Sequence, residues 1–492
     1  MSTLPVDIYS VAAVREIDRT AIEDQGIPGY TLMTRAGAAA VSEARSRFPG
    51  ARRWQVVCGA GNNAGDGYVV ARLAAREGIA VVVVALVDPA SLQGDAATAY
   101  ADYAAAGGVV TRWAGQLDPA ADLLVDAMLG SGLERDVEGE FALAVAAINS
   151  HDARVLALDI PTGIHGDSGN VMGFAVRAEL TVTFVGLKAG LYLGDGPDYC
   201  GVVAFADLGV PPGCRKGIEP AYRRIDDEQL QRNLAPRRRS AHKGDFGHVL
   251  VVGGGPGMPG AVRLCGEAAL RAGAGLVSIA THPQHASIIV ATRSELMAHG
   301  IESAAQLEPL LEKADVVAFG PGLGRTAWAE ELYARLAQDE RAAVWDADAL
   351  NWLATAPQAM ANRIITPHPG EAARLLGDST AAVQANRRQS LASLRERYGG
   401  VAVLKGSGTL VSSCSGAAWL CTAGNPGMAS PGMGDVLTGI IAALRAQGLA
   451  PEEAAAVGVS AHARAGDRAA GDGERGLIAG DLLQALRAVL NP

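Results

Sequence analysis

Short apolar runs recur along this chain, each closed by a polar or glycine-rich turn and most followed by a stretch with helical spacing, and that recurrence leaves few folds open. In the second half the runs occupy residues 249–252, 277–280, 316–319, 343–345, 364–365 and 401–404, and in the first half 54–58, 79–87, 123–126 and 155–160. Strand and helix in alternation build a largely parallel sheet. In such open sheets ligands sit beyond the carboxyl ends of the strands, so the turns are where binding groups are expected. Composition agrees, since 49% hydrophobic and 19% charged residues with 61 glycines suit buried strands rich in small and branched side chains. Two large α/β domains account for 492 residues. Residues 211–245 carry Pro211, Pro212, Pro220 and Pro236 with weak apolar periodicity, which places a boundary there and gives domains 1–225 and 226–492.

A net charge of -10 without a long basic block argues against nucleic acid as a partner. The one tight basic run, Arg237 to Arg239, reads as a solvated linker. Cys58, Cys200, Cys214, Cys265, Cys414 and Cys421 are scattered without a Cys-x-x-Cys pair, as core cysteines of a reducing compartment are. The histidines form no metal-binding pair, and His282 and His285 read as solvated turn residues. The first residues lack the basic and apolar regions of a secretion signal, and no apolar run reaches the roughly 20 residues that span a bilayer. A cytoplasmic protein with no membrane partner is expected.

Near the far end, residues 424–439 read Gly-Asn-Pro-Gly-Met-Ala-Ser-Pro-Gly-Met-Gly-Asp-Val-Leu-Thr-Gly. Apolar positions at Val436, Leu437, Ile440, Ile441 and Leu444 continue it as one face of a helix stopped by Gly448. A glycine-rich loop opening a helix offers free N–H groups and a favourable dipole to an anion. A carboxylate there, Asp435, suits a base that takes a proton from a hydroxyl beside that anion. An N-cap aspartate on a core helix is the plainer reading. In the first half, residues 59–67 read as a glycine-rich turn between a strand and a helix over 68–76. The turn departs from Gly-x-Gly-x-x-Gly because Ala64 holds the third glycine place, which weakens ordinary dinucleotide binding.

Residues 424–439 closely resemble the signature of the carbohydrate-kinase-like NAD(P)H-hydrate dehydratases, with Pro431 standing where that family usually has a small residue. Residues 62–67 are similar to the Asn-Asn-Gly-Gly-Asp-Gly turn of the NAD(P)H-hydrate epimerases, and 159–163 to their Asp-Ile-Pro-Ser-Gly, with Thr162 replacing serine. The whole chain therefore resembles the bifunctional NAD(P)H-hydrate repair enzymes. The resemblance implies a Rossmann-like α/β/α domain followed by a ribokinase-like α/β domain. The first would interconvert the R and S forms of hydrated NADH or NADPH. The second would dehydrate the S form at the expense of ADP, with ATP as the alternative.

By that match Asp159 and Lys188 would be catalytic in the first domain, and Asn63, Asp126 and Thr162 would bind potassium. Its substrate would be held by Asn62, Asn63, Ala64, Gly65 and Asp66, by Gly130, Ser131, Gly132, Leu133, Glu134, Arg135 and Asp136, and by Asp159. In the second domain Asp435 would be the catalytic base, Ala274, Gly322 and His368 would contact the hydrate with it, and Lys405, Gly406, Ser407, Gly408, Thr409 and Gly434 would hold the nucleotide with Mg²⁺. A homo-oligomer is expected. Two alternatives stay open: a vitamin-type metabolite kinase, and a first half that only binds a nucleotide or a partner.

Overall fold

The computed structural model describes residues 4–414 and 416–491. Two compact units divide between Arg223 and Arg224, a little ahead of the boundary read from composition.

In the first unit seven strands form one all-parallel sheet in the order Val110–Arg112, Ala80–Ala85, Arg53–Cys58, Leu123–Ala127, Arg154–Leu158, Leu180–Phe184, Val202–Ala206. Alternate residues feed two cores. Val56, Val83, Val125, Leu156 and Val182 pack under the helices Gly29–Arg47 and Asn62–Arg76, while Val57, Val84, Leu124 and Val155 meet Val145 and Ile148 on the other face. A strand buried on both faces is largely apolar, which is why most of these runs show no polar alternation; Leu180–Phe184, with buried Thr181 and Thr183, is the exception. A short strand, Asp7–Tyr9, pairs in parallel with Leu187–Lys188, setting Tyr9 opposite Lys188.

The second unit holds seven parallel strands in the order Met297–Gly300, Leu276–Thr281, His248–Val252, Val316–Phe319, Ala342–Trp345, Arg363–Ile365, Val401–Leu404. Leu410–Val411 and Ala418–Leu420 extend it antiparallel. Helix Met433–Ala446 lies against helix Pro259–Arg271 so closely that a Cβ on Gly439 would come within 2.1 Å of the Cys265 carbonyl oxygen.

Several expectations need correction. Residues 62–67 are not a turn: the helix begins at Asn62, because Gly65 and Gly67 are demanded there by packing rather than by bending. A Cβ on Gly65 would lie 2.6 Å from Met33 Cε, and one on Gly67 2.5 Å from Ala127 Cβ. His285 is buried, and its Nε2 accepts from the Gly257 N–H at 3.2 Å, so it is not a solvated turn residue. Arg237 does more than decorate a linker. It lies over the Phe246 ring at 3.6 Å and donates to the Gly273 carbonyl at 2.6 Å. Among the described residues no helix is long and apolar enough to cross a membrane.

Candidate active sites

At the carboxyl ends of the first sheet lies a cavity of about 1080 Å³. Asn62, Asn63 and Asp66 reach it from the first turns of helix Asn62–Arg76, and the loop from Gly130 to Arg135 forms another part of its lining. Asp159 and Lys188 line it too. Asp159 follows the last residue of strand Arg154–Leu158 with φ 67°, a left-handed backbone that a non-glycine residue adopts at a cost of about 1–3 kcal/mol. That bend turns its carboxylate towards buried Lys188, whose Nζ donates to Asp159 Oδ1, to Thr183 Oγ1 at 3.1 Å and to the Phe184 carbonyl at 2.9 Å. The Ser131 N–H donates to Asp159 Oδ2 at 3.2 Å. Burial pushes the Asp159 carboxyl up, but the Lys188 charge and hydrogen bond, with Ser131, outweigh it and hold the group below its ordinary range. Asp66 goes the other way, driven well up by burial and by the Asp159 and Asp18 charges. Ala64 is fully buried in the core, Gly65 packs on Met33, and Asp136 is exposed outside the cavity lining.

Asp126 and Thr162 meet directly. Thr162 Oγ1 donates to Asp126 Oδ1 at 2.7 Å, the Thr162 N–H to Oδ2 at 2.8 Å, and the Met128 N–H to Oδ1 at 3.2 Å. Burial nevertheless pushes the Asp126 carboxyl to about 6. Beside Gly130, the buried Asn63 amide has neither its nitrogen nor its oxygen partnered. A buried amide with both ends unsatisfied is a costly arrangement that a cation or ligand would relieve.

In the second unit the turns after four adjacent strands converge. Asp346 follows Ala342–Trp345, is buried, and accepts from Lys405 Nζ at 2.7 Å and from Thr438 Oγ1 at 2.9 Å. Gly434 sits against this pair, since a Cβ there would lie 3.2 Å from both Asp346 Oδ2 and Lys405 Nζ. Gly432, with φ 89°, caps helix Met433–Ala446, so Asp435 is the third helical residue rather than the cap. A helix N-terminus favours an ionised carboxylate by about 1 kcal/mol at most in exposed settings. Here burial and the neighbouring Asp346 charge override it, with Lys405 opposing, and push the Asp435 carboxyl to about 7.

His368 caps helix Pro369–Leu376. Its ring Nδ1 accepts from the Gly370 N–H at 3.0 Å, and its backbone N–H donates to Glu371 Oε2 at 2.8 Å. Glu371 stands 3.9 Å from Lys405 Nζ, and its carboxyl is pushed to about 7 by burial, against Lys405 and with Asp346. The loop from Lys405 to Thr409 is pinned from behind by buried Arg387, which donates to the Leu404 and Gly408 carbonyls, each at 3.2 Å. Thr409 Oγ1 donates to the Gly406 carbonyl at 2.8 Å, and Ser407 is exposed. Gly322, at φ 56°, lies in the turn after Val316–Phe319, where a Cβ would come 3.1 Å from Ala261 Cβ. Ala274 is not brought to this site. It precedes the amino end of Leu276–Thr281, whereas the other residues lie beyond the carboxyl ends of their strands.

Residues 249–487 match the model of the NAD(P)H-hydrate dehydratase family, and residues 29–190 that of the YjeF-related protein N-terminus. The chain is 46% identical to the bifunctional NAD(P)H-hydrate repair enzyme Nnr of Coxiella burnetii, over 99% of each chain. The chain belongs to the bifunctional NAD(P)H-hydrate repair enzymes. Its counterpart from Escherichia coli is 44% identical, with 100% of this chain and 95% of that one covered. Among solved structures, a ribokinase-like superfamily protein from Enterococcus faecalis matches with a TM-score of 0.50 and 29% identity. That match covers 55% of this chain and 95% of that one. The expected fold classes of a repair enzyme, an α/β unit with a parallel sheet followed by a ribokinase-like one, thus stand.

For this repair enzyme, sequence reasoning passed over Asp18, Asp346, Glu371, Arg387 and Thr438 as site residues. Thr438 lay inside residues 424–439, and the position of Asp346 just after a strand and of Glu371 at a helix start was the available signal. Nothing local marks Asp18 or Arg387, which the fold carries in from helices Val11–Glu23 and Arg387–Tyr398.

Proposed function

We propose that the N-terminal unit exchanges the C6 epimers of hydrated NADH or NADPH and that the C-terminal unit removes water from the S epimer with ADP as phosphoryl donor. The observation that carries this is Asp435, a half-buried carboxyl held at about 7, set three residues into a helix beside Gly434, Lys405 and Asp346. A base poised near the working pH gains most from both its ionised fraction and its basicity. Asp435 takes the proton of the C6 hydroxyl while that oxygen bonds to the terminal phosphoryl of ADP and AMP leaves. Phosphate then departs with the C6 oxygen, and loss of a C5 proton restores the C5=C6 double bond. Free N–H groups of Gly434 and of residues 406–409 bind the diphosphate, and Lys405 offsets its charge. Gly322 and His368 border the hydrate.

Among the described residues no group of three or more His, Cys, Asp or Glu is arranged to hold a metal. Magnesium is therefore assigned to the nucleotide's own oxygens, the usual way this ion is carried. When bound it neutralises charge on the transferring phosphoryl.

In the first unit Asp159, kept ionised by Lys188, faces the reacting ring, with Asn62, Asp66 and the 130–135 loop around it. Asn63, Asp126 and Thr162 offer hard oxygen donors, and the unpartnered Asn63 amide suits a monovalent cation such as potassium. Potassium would supply fixed positive charge behind the substrate loop. Potassium at 100 times its Kd should then raise the stability of the first unit by about 2.7 kcal/mol. A large organic cation at equal ionic strength should not, and Asp126→Ala should abolish the difference. Equal melting midpoints in both salts would remove potassium from the site.

The deciding assay supplies mixed epimers with ADP and, separately, with ATP, and follows recovery of reduced-nicotinamide absorbance and release of phosphate. Equal yields of both support dehydration. A stable phosphoester without recovered absorbance would make the second unit a kinase.

A further inference from the structure

Helix Val11–Glu23 contributes Val14, Arg15, Asp18, Arg19 and Ile22 to the lining of the N-terminal cavity. Asp18 is half-buried there and, among the described residues, makes no hydrogen bond or ion pair, in contrast to Asp159 with its lysine and backbone partners. We propose that Asp18 is a second catalytic carboxylate of the epimerisation, exchanging a proton with the C6 oxygen of the hydrate. This rests on the reading of the cavity as the epimerisation site.

The chemistry requires two groups in opposite protonation states. C6 of the hydrate is bonded both to ring nitrogen N1 and to the hydroxyl, so it is a hemiaminal carbon. Inverting it means breaking the C6–O bond and remaking it on the other face. A neutral carboxyl gives its proton to the hydroxyl, and the C6–O bond breaks with its electron pair leaving on water. The N1 lone pair then forms the N1=C6 double bond. Water adds to the opposite face through an oxygen lone pair, the N1=C6 pair returns to nitrogen, and a carboxylate takes the surplus proton. One proton is given and one recovered, with no net oxidation.

Asp159 cannot be the donor, because Lys188 fixes it as a carboxylate. Asp18 has the opposite environment. Burial pushes its carboxyl to about 6, with the Lys188 charge opposing and the Asp159 charge adding, so both protonation states are accessible near neutral pH. The charged groups that line the cavity with it are Lys188 and Asp159 from the strand ends, Asp66 from helix Asn62–Arg76, Asp95 from helix Gly94–Ala105, Glu134 and Arg135 from the substrate loop, and Arg15, Arg19 and Glu23 from its own helix. The two carboxyls thus reach the cavity from separate elements, as reaction on two faces of one ring demands.

The test uses the full chain without nucleotide, a purified single epimer, and chromatographic measurement of its conversion to the other. Asp18→Asn should slow exchange about 10²-fold or more while KM shifts less than about threefold, and the limb of the pH profile near 6 should vanish. Near-UV circular dichroism verifies folding, and Asp18→Ser should behave the same way if Asn perturbs packing. Exchange within about threefold of the parent, with the limb retained, overturns the role of Asp18 provided Asp159→Asn still silences exchange. If Asp159→Asn also leaves exchange intact, the cavity is not the epimerisation site and both readings fall.

Discussion

Asp435 shows how little of a residue's chemistry its sequence position reveals. A Gly-Asp at the head of a helix suggests a cap with a depressed pKa, whereas the folded chain half-buries this carboxyl beside Asp346 and holds it at about 7. For dehydration, kcat/KM of the free enzyme should therefore rise with pH through about 7, because the base works only when deprotonated. Asp435→Asn should cut the rate by about 10²- to 10⁴-fold and remove that dependence, while epimer exchange in the same chain continues. A variant keeping more than about half the rate would send the search for the base elsewhere. The motif residues Lys405, Gly434 and Asp435 were legible because they are contiguous with glycine-rich turns. Asp346 and Thr438 were harder to assign, since what defines their part is a 2.9 Å contact between residues 92 positions apart. Ala274 illustrates the converse: local similarity picked it out, although the run read at 277–280 already put it ahead of its strand rather than after one.

Among the elements, strands were easiest to read because burial on both faces leaves uninterrupted apolar runs. Helix starts were harder. Glycines in residues 59–67 looked like a turn, yet those at 65 and 67 serve close helix packing, and spacing alone does not distinguish the two uses. Short edge strands such as Met297–Gly300 and Val110–Arg112 were missed, since exposed residues interrupt their pattern. The contact between helices Met433–Ala446 and Pro259–Arg271 makes its own prediction. Gly439→Ala would force a Cβ to within 2.1 Å of the Cys265 carbonyl oxygen, so either helix must shift. Overpacking of this kind costs about 1–3 kcal/mol, and here it also displaces the carboxyl four residues earlier. Lower thermal stability together with impaired dehydration is expected, and unchanged melting with full activity would show that the helix pair yields without strain.

At the scale of the molecule, each unit has its own run of seven parallel strands, its own core and its own cluster of ionisable groups. Residues 1–225 and 226–492, expressed separately, should fold and act alone, the first exchanging epimers without nucleotide and the second dehydrating one epimer with it. Well-folded halves that are inactive until mixed would place a single composite site across the division. Both clusters also share a habit with a practical consequence. Asp18 and Asp126 sit at about 6, and Glu371 and Asp435 at about 7, all above the roughly 4 expected of carboxyls in an unfolded chain. Between about pH 4 and 7 the native form therefore holds protons that the unfolded form has released, and by linkage stability from these groups declines as pH rises through that window, then levels off. Asp159 and Asp346, held low, add the opposite slope below about 4. An unliganded preparation should consequently survive heating best in an acidic buffer at about pH 4, with saturating magnesium nucleotide moving the optimum towards neutrality. A melting profile that climbs steadily from pH 5 to 8 without ligand would contradict this.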